Sequence, residues 1–526
     1  MPDRTIIQWE KDDLEALGLL KVDCLALGML SAIRRMFEFV ERQIGVRHSI
    51  ASIPRNDEKT YAMIQAADTV GVFQIESRAQ MSMLPRLKPK NFYDLVIQIA
   101  IVRPGPIQGG MVHPYLKRRN GLEPAIYPSD ALENVLSRTL GVPLFQEQVI
   151  EIAVVAAGFS QGEADQLRRS MAAWGRDGSL MPLRQRLLDG MAKNGYKEDF
   201  AEQIFEMIKG FGSYGFPESH SASFALLAYV SSWIKRHHPA AFFAGLINSQ
   251  PMGFYGPAQL IREARRAGVE VRGVDVRNSD WNCTHADNGT KHGAIRLGLR
   301  LVDGLNEDMA TCIMAARRQS PFVNIEDLVR RAALDVATRR FLAKADALRT
   351  LGGHRHAVHW RVQGIEDLPA MLAGHASLES DVALRTPHEA EEVLADYQSI
   401  GLTLRRHPLA LLRPRLAKLG VRTSADMAMF AHRQSVRIAG LVLNRQRPQT
   451  AKGVLFMTLE DETGCHNLVV WKKSFDSQRA VVLGSRLLIV TGELQKVDDV
   501  THIVARRFRD ISDWIADMPV VSRNFH

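Results

Sequence analysis

From Ser435 to Asp510 the chain changes its hydrophobic period, and this change limits the possible folds more than any other feature. Runs at Val436–Val442, Val454–Leu459, Leu468–Trp471, Leu487–Gly492 and His502–Arg507 are β-rich, with turn residues between them. Five short strands at this spacing make a small barrel of the OB type. The preceding text reads mainly as helices broken by Gly and Pro, so the expected architecture is multidomain, mainly α, with a C-terminal β-barrel. The barrel segment carries 12 Lys+Arg against 8 Asp+Glu, an excess of four positive charges. Arg445, Arg447, Lys452 and the Trp471-Lys472-Lys473 cluster suit single-stranded DNA, held by charge and base stacking. Trp471 fits the barrel core equally well.

A length of 526 residues allows several cores, and the formal charge of +9 favours a polyanionic partner. No run of about 18 apolar residues occurs, and Met1-Pro2-Asp3-Arg4 has no signal pattern, so a membrane partner is not expected. The four cysteines are scattered and form no CxxC pair. Neither a zinc site nor a disulfide framework is expected, and a cytoplasmic location fits best.

Several stretches carry chemistry. Leu19-Leu20-Lys21-Val22-Asp23 reads as a short strand entering a helix, which puts Lys21 and Asp23 on one face. A carboxylate beside an ammonium suits a metal ion and a phosphate together, although an exposed strand end would look the same. Arg103 opens the turn Arg103-Pro104-Gly105-Pro106; it lies either against a nucleic-acid backbone or in a plain structural turn. Asp165 and Arg169 are four apart on an expected helix. Glycines and Pro217 make a turn before a helix that Ser219 or Ser221 would cap and that ends near Pro239. Leu301-Val302-Asp303-Gly304-Leu305 has the pattern of a helix-hairpin-helix, whose glycine lets backbone amides approach a DNA phosphate. Here Val302 and Gly304 are the contact candidates. His354, His356 and His359 lack the partners of a metal site and read as solvated.

The run from Trp9-Glu10-Lys11-Asp12-Asp13 through Leu25-Ala26-Leu27-Gly28-Met29 resembles the third catalytic-carboxylate segment of bacterial C-family DNA polymerases. On that resemblance Asp23 is the catalytic and metal-binding aspartate, and Lys21 faces the incoming triphosphate. Gly162-Glu163-Ala164-Asp165-Gln166-Leu167-Arg168-Arg169 is similar to a fingers motif whose paired arginines, here Arg168 and Arg169, contact the nucleotide. Tyr214-Gly215-Phe216-Pro217-Glu218-Ser219-His220 is similar to a motif whose Tyr and His line the nucleotide pocket, which gives Tyr214 and His220. Guanidinium suits phosphate because it stays charged and can grip two oxygens. Ser170-Met171-Ala172-Ala173-Trp174 and the run from Arg236 through Tyr255 to Trp281 resemble the error-prone branch more than the replicative alpha subunit.

The resemblance implies an end of palm (1–55), fingers with a thumb-adjacent region (56–275), a helix-hairpin-helix region (276–355), a helical linker (356–433), the barrel (434–512) and a tail (513–526). It implies a DNA-directed DNA polymerase working in damage-induced translesion synthesis and repair, with Mg²⁺ as cofactor and dNTP as substrate. Primer-template DNA and single-stranded DNA are the implied partners, with other translesion proteins and, indirectly, the sliding clamp. A replicative polymerase III alpha fragment and a non-catalytic DNA-binding protein are the alternatives. No Asp-x-Asp precedes Asp23, so the expectation is that these 526 residues bind DNA without extending a primer.

Overall fold

A computed structural model describes residues 17–18, 26–103, 110–127, 129–167, 181–211, 217–286, 292–365, 382–447, 453–497, 500–515, 518–519 and 523–525. The chain is multidomain and mainly helical, with a five-stranded barrel of OB type near its C-terminus. Among the described residues, no helix is long and apolar enough to cross a membrane.

The first helices are α1 (Leu27–Ile44), α2 (Glu58–Gln65), α3 (Arg78–Leu87), α4 (Phe92–Ile101), α5 (Val112–Arg119), α6 (Asp130–Leu136) and α7 (Gln146–Ala157). They are followed by α8 (Met181–Lys193), α9 (Glu198–Phe211), α10 (Glu218–His237), α11 (Pro239–Asn248) and α12 (Pro257–Arg266). α10 is the central column. Its apolar stripe is wider than Phe224, Leu227, Ala228 and Ile234, because α2, α4 and α11 cover it on several sides. A helix enclosed in this way is apolar nearly all round, and α4, with Leu95 to Ile101 all buried, shows the same pattern. Lys235, a long polar side chain that α10 buries, is satisfied. Its Nζ donates to Asp68 Oδ1 at 2.8 Å and to the carbonyls of Asp68 and Val70 at 2.9 and 3.2 Å. α11 crosses α1 closely at Gly245, where an added Cβ would lie 2.6 Å from Met36 Cγ. Pro239 ends α10 and opens α11 at its first position, where a missing N–H costs nothing.

A small sheet follows, made of β1 (Glu270–Arg272), β2 (Thr284–Ala286) and β3 (Ala294–Arg296), with β3 central. Then come α13 (Glu307–Gln319), α14 (Ile325–Arg331), α15 (Val336–Lys344), α16 (Arg355–Gly364), α17 (Glu389–Ile400) and α18 (Pro408–Lys418). One apolar core runs from Met29 to Leu402, while Val393 of α17 and Leu409 and Leu416 of α18 belong to a separate cluster.

The barrel strands are β4 (Ser435–Gln446), β5 (Leu455–Glu460), β6 (Cys465–Val470), β7 (Leu487–Val497) and β8 (Val500–Asp510), with short helices α19 (Lys472–Ser477) and α20 (Arg479–Gly484) after β6. The order β5-β6-β8-β7-β4 closes through β4–β5 pairing, and β9 (Arg523–Phe525) adds to β4 in parallel. Val436, Ile438, Val442, Met457 and Ile503 fill the barrel. Ala439, Leu441, Leu487 and Ile489 pack outward instead, against α17, α18 and the segment around Ile511.

A buried carboxylate fixes the β5–β6 turn. Asp461, fully buried, accepts from His466 Nε2 (2.9 Å), from the Thr463 and Gly464 amides (2.8 and 2.9 Å) and from the Ser424 amide (2.6 Å). Burial alone would raise its pKa, but the bonds to His466 and Thr463 outweigh this and hold it down at about 2. A depressed carboxylate stabilises the fold above its unfolded pKa of about 3.9 and loses that contribution as pH falls through about 2. Asp461→Asn is therefore expected to cost about 2 kcal/mol at pH 6 and to flatten the stability profile between pH 4 and 2. Urea titration of the barrel's near-UV signal across that range is the check; an unchanged slope would refute it.

Candidate nucleic-acid and nucleotide site

Lys21, Asp23, Arg168, Arg169, Tyr214 and Lys452 lie outside the described residues. The structure does describe what leads into several of them. Residues 161–167 are helical up to the residue before Arg168, and Ala164 and Leu167 on that helix are buried. Ser160 and Glu163 cap its start reciprocally: the Ser160 amide donates to Glu163 Oε2 at 2.7 Å, and the Glu163 amide to Ser160 Oγ at 3.3 Å. Arg186 on α8 then ties Glu163 to the carbonyls of Ala157 and Gly158 (3.1, 3.1 and 3.0 Å).

The start of α10 is held just as firmly, though not by the expected serines. Its N-cap is Pro217, and Ser221 is fully buried inside the helix. The capping role passes to a distant carboxylate: the Glu218 amide donates to Glu147 Oε2 at 3.0 Å. Glu218 itself accepts from Tyr93 Oη at 2.9 Å and from Arg138 at 2.8 Å, and the Arg138 guanidinium lies 4.4 Å from the Tyr93 ring centroid. On this platform His220 is exposed, with its ring edge-on to Phe224 at 5.8 Å.

Arg103 follows α4 half-buried, donating to Gln74 Oε1 at 3.1 Å and to the Ile99 carbonyl at 3.4 Å. Those bonds tie Arg103 to the last turn of α4 and to Gln74.

The first hairpin corrects the assignment of Val302. Its side chain is buried and its amide donates to the Leu299 carbonyl at 3.0 Å, so neither is offered to DNA. The Asp303 amide is also taken, by the Ser399 carbonyl at 2.8 Å. Gly304 is exposed at φ +82°, and a Cβ there would lie 2.7 Å from the Phe341 ring. Glycine is thus required for two reasons, conformation and packing. In the second hairpin Asp346 takes the left-handed conformation, φ +58°, more usual for glycine. Its carboxylate turns inward and accepts from Arg349 and Arg405, both at 3.1 Å. Arg405 also reaches Glu392 (2.9 Å) and Asp396 (3.0 Å) on α17, and Arg355 pairs with the same two carboxylates, Asp396 at 2.6 Å. This hairpin is a structural joint.

On the barrel, Arg445 is likewise corrected. It is 4% exposed and donates to the Val482 carbonyl at 2.7 Å and to the Ser485 carbonyl, so it braces α20 and cannot face a strand of DNA. Trp471 is 55% exposed, which excludes it from the core. With the exposed Lys472 and Lys473 it forms one pole of the barrel, and Arg447 joins them. A Cβ on Gly453 would lie 3.4 Å from Lys472 Cδ and 3.5 Å from Arg447 Nη2, so the two cations flank the same turn. An exposed indole amid three cations can stack a base while the cations hold phosphates.

Among the described residues no three His, Cys, Asp or Glu side chains converge on a metal-sized space. The described part of the chain therefore does not form the Mg²⁺ pocket that the resemblance implies.

Comparison with known proteins fits this arrangement. Residues 29–195 match the bacterial DNA polymerase III alpha subunit finger domain, 268–358 a helix-hairpin-helix motif, and 436–511 an OB-fold nucleic acid binding domain. The whole chain aligns with the error-prone DNA polymerase of Alkalilimnicola ehrlichii at 59% identity, covering 51% of that protein. It aligns over its full length with those of Methylococcus capsulatus (55% identical, 52% of that protein) and Pseudomonas aeruginosa PAO1 (57%, 51%). The chain thus spans about half the length of the curated relatives it matches.

Proposed function

Because the chain belongs to the error-prone branch of the bacterial C-family DNA polymerases, we propose that it supplies the fingers, hairpin and barrel parts of a DNA-directed DNA polymerase. The observation that carries this reading is the full-length alignment with proteins of that name, with fingers, hairpin and barrel segments in one order. In it a primer 3′-hydroxyl attacks the α-phosphate of a dNTP and pyrophosphate leaves. Arg168, Arg169 and Lys21 take the triphosphate charge, and Tyr214 and His220 border the nucleotide. Asp23 would hold Mg²⁺, which supplies charge stabilisation at the transferring phosphoryl group.

The chain's own residues are proposed to do two further things. The braced start of α10 holds His220 at a fixed place, so little ordering remains when a nucleotide arrives. The Trp471, Lys472, Lys473 and Arg447 pole takes single-stranded DNA by stacking and charge. Gly304 marks a hairpin turn left open to a DNA backbone. Translesion synthesis in damage-induced mutagenesis is the proposed setting, in keeping with the relatives' printed name.

Calorimetric titration of the chain with a dNTP in Mg²⁺ tests the nucleotide reading. Binding is expected, and Arg168→Ala is expected to weaken it about ten- to a hundred-fold, the size of a lost charge-assisted hydrogen bond. Equal affinity in the variant would remove Arg168 from the nucleotide site, and no binding by the parent chain would leave a DNA-binding protein with no nucleotide site.

A further inference from the structure

The outer face of β5 and β6 is partly covered by the helical body. Arg78, the first residue of α3, lies across it. Its Nη2 donates to the Met457 carbonyl and to Asn467 Oδ1, both at 2.7 Å, and its Nε donates to Asn467 Oδ1 at 3.1 Å. Nearby on α12, Arg262 pairs with Glu460, and His407 Nε2 stands 3.5 Å from the same carboxylate.

The two arginines differ in one respect. Among the described residues, Arg262 has a carboxylate, whereas Arg78 has only neutral oxygens. Arg78 Nη1 is shielded from solvent and has no hydrogen-bond partner among them. Burial lowers the Arg78 pKa from its ordinary value to about 10, and no described carboxylate offsets this. The adjacent group, His502 on β8, donates to or accepts from Gln495 Oε1 at 3.2 Å. Its pKa is lowered by burial and then by the Arg78 charge, so at neutral pH Arg78 is the cation of this pair. A shielded guanidinium without an anion is costly unless the protein uses it to attract one.

In barrels of this type the second and third strands form the face that holds oligonucleotides, and here those are β5 and β6. We propose that the seam between α3 and the β5–β6 face is a composite phosphodiester site, where a backbone phosphate of a single DNA strand pairs with Arg78 beside Asn467 and His502. The unpartnered Nη1 gives that phosphate a donor, and the bonds to Met457 and Asn467 loosen as it enters. Entry requires the barrel edge to move off Nη1, so the body and the barrel hold the strand together. The inference rests on the reading of this chain as a DNA-binding polymerase segment. It adds a contact distinct from the Trp471 pole, supplied by a residue outside the barrel.

The test is fluorescence anisotropy of a labelled dT12 over a salt series, with the full chain, Arg78→Gln and Trp471→Ala. Arg78→Gln is expected to weaken binding about ten-fold and to lower the salt slope by about 0.7, the value of one phosphate on a single strand. Trp471→Ala is expected to weaken binding with its salt slope unchanged, since stacking releases no counterion. A dT12 scanned with single neutral methylphosphonate linkages gives a readout independent of folding. One linkage is expected to weaken the parent chain and to leave Arg78→Gln unaffected. Unchanged or tighter binding by Arg78→Gln overturns the site, the tighter case making Arg78 a latch that hides the face. Parent-chain binding that inorganic phosphate displaces at concentrations where it leaves the Trp471 contact intact would assign the seam to a free anion and also overturn it. If the parent chain binds no dT12, the DNA-binding reading itself fails and this site with it.

Discussion

Arg355→Ala is expected to loosen the joint between the second hairpin and α17 by about 3–5 kcal/mol, the cost of leaving buried charges without their partner. Arg355 is 7% exposed, and it faces Glu392 and Asp396, at 6% and 3%. Removing the guanidinium leaves two carboxylates close together, with Arg405 on both and Arg349 at 3.9 Å from Glu392. Arg405 is already tied to Asp346 at 3.1 Å as well as to both carboxylates. In a chain with several cores a single unfolding free energy is poorly defined, so the measurement is local. Amide hydrogen exchange in α16 and α17 is expected to speed up by two to three orders of magnitude at constant pH, about 1.4 kcal/mol per decade. Exchange in the barrel strands β7 and β8 is expected to change far less. A speed-up below about five-fold, under 1 kcal/mol, would show that the pair is worth no more than a surface bridge.

The second large effect concerns catalysis. In a polymerase of the relatives' full length, Asp23→Ala is expected to lower single-nucleotide primer extension by about a thousand-fold, roughly 4 kcal/mol of lost charge stabilisation. The loss should fall on kcat more than on KM for dNTP, since the proposed triphosphate contacts belong to Lys21, Arg168 and Arg169. Asp23→Glu keeps the charge but moves it by one methylene, and should recover part of the rate at higher Mg²⁺. Rapid-quench measurement with a matched primer-template separates the two parameters. A variant that extends at more than a tenth of the parent rate would remove Asp23 from the catalytic centre.

The parts of the fold legible in the sequence were those set by local rules. The five barrel strands follow from alternation and turn residues, and the observed strands contain most of each expected run. Pro239 marks the break between α10 and α11 because its ring excludes a continuing helix. Where long-range partners decide, sequence reading failed. Ser219 and Ser221 are good capping types, but α10 starts at Glu218 and takes its cap from Glu147, 71 residues away. Arg445 reads as surface because arginine on a strand nearly always is, and only the carbonyls of Val482 and Ser485 show otherwise. Asp346 is a left-handed aspartate whose carboxylate serves an ion network spread over residues 346 to 405. No short window of sequence contains that network.

The site shows the same division. Motif spacing singled out Trp471, Lys472 and Lys473, and the structure places all three at the surface. Nothing in the local sequence singles out Arg78, since its bonding partners lie 379 and 389 residues further on.

Strand β4 has no idle side. Ile438 looks into the barrel while Ala439 and Leu441 look toward the helices, and its far end carries β9. A mutation there is felt in two compartments at once, so this strand should tolerate fewer neutral changes than any other in the barrel. Drift in the lineage would be expected to leave it nearly untouched while its neighbours vary.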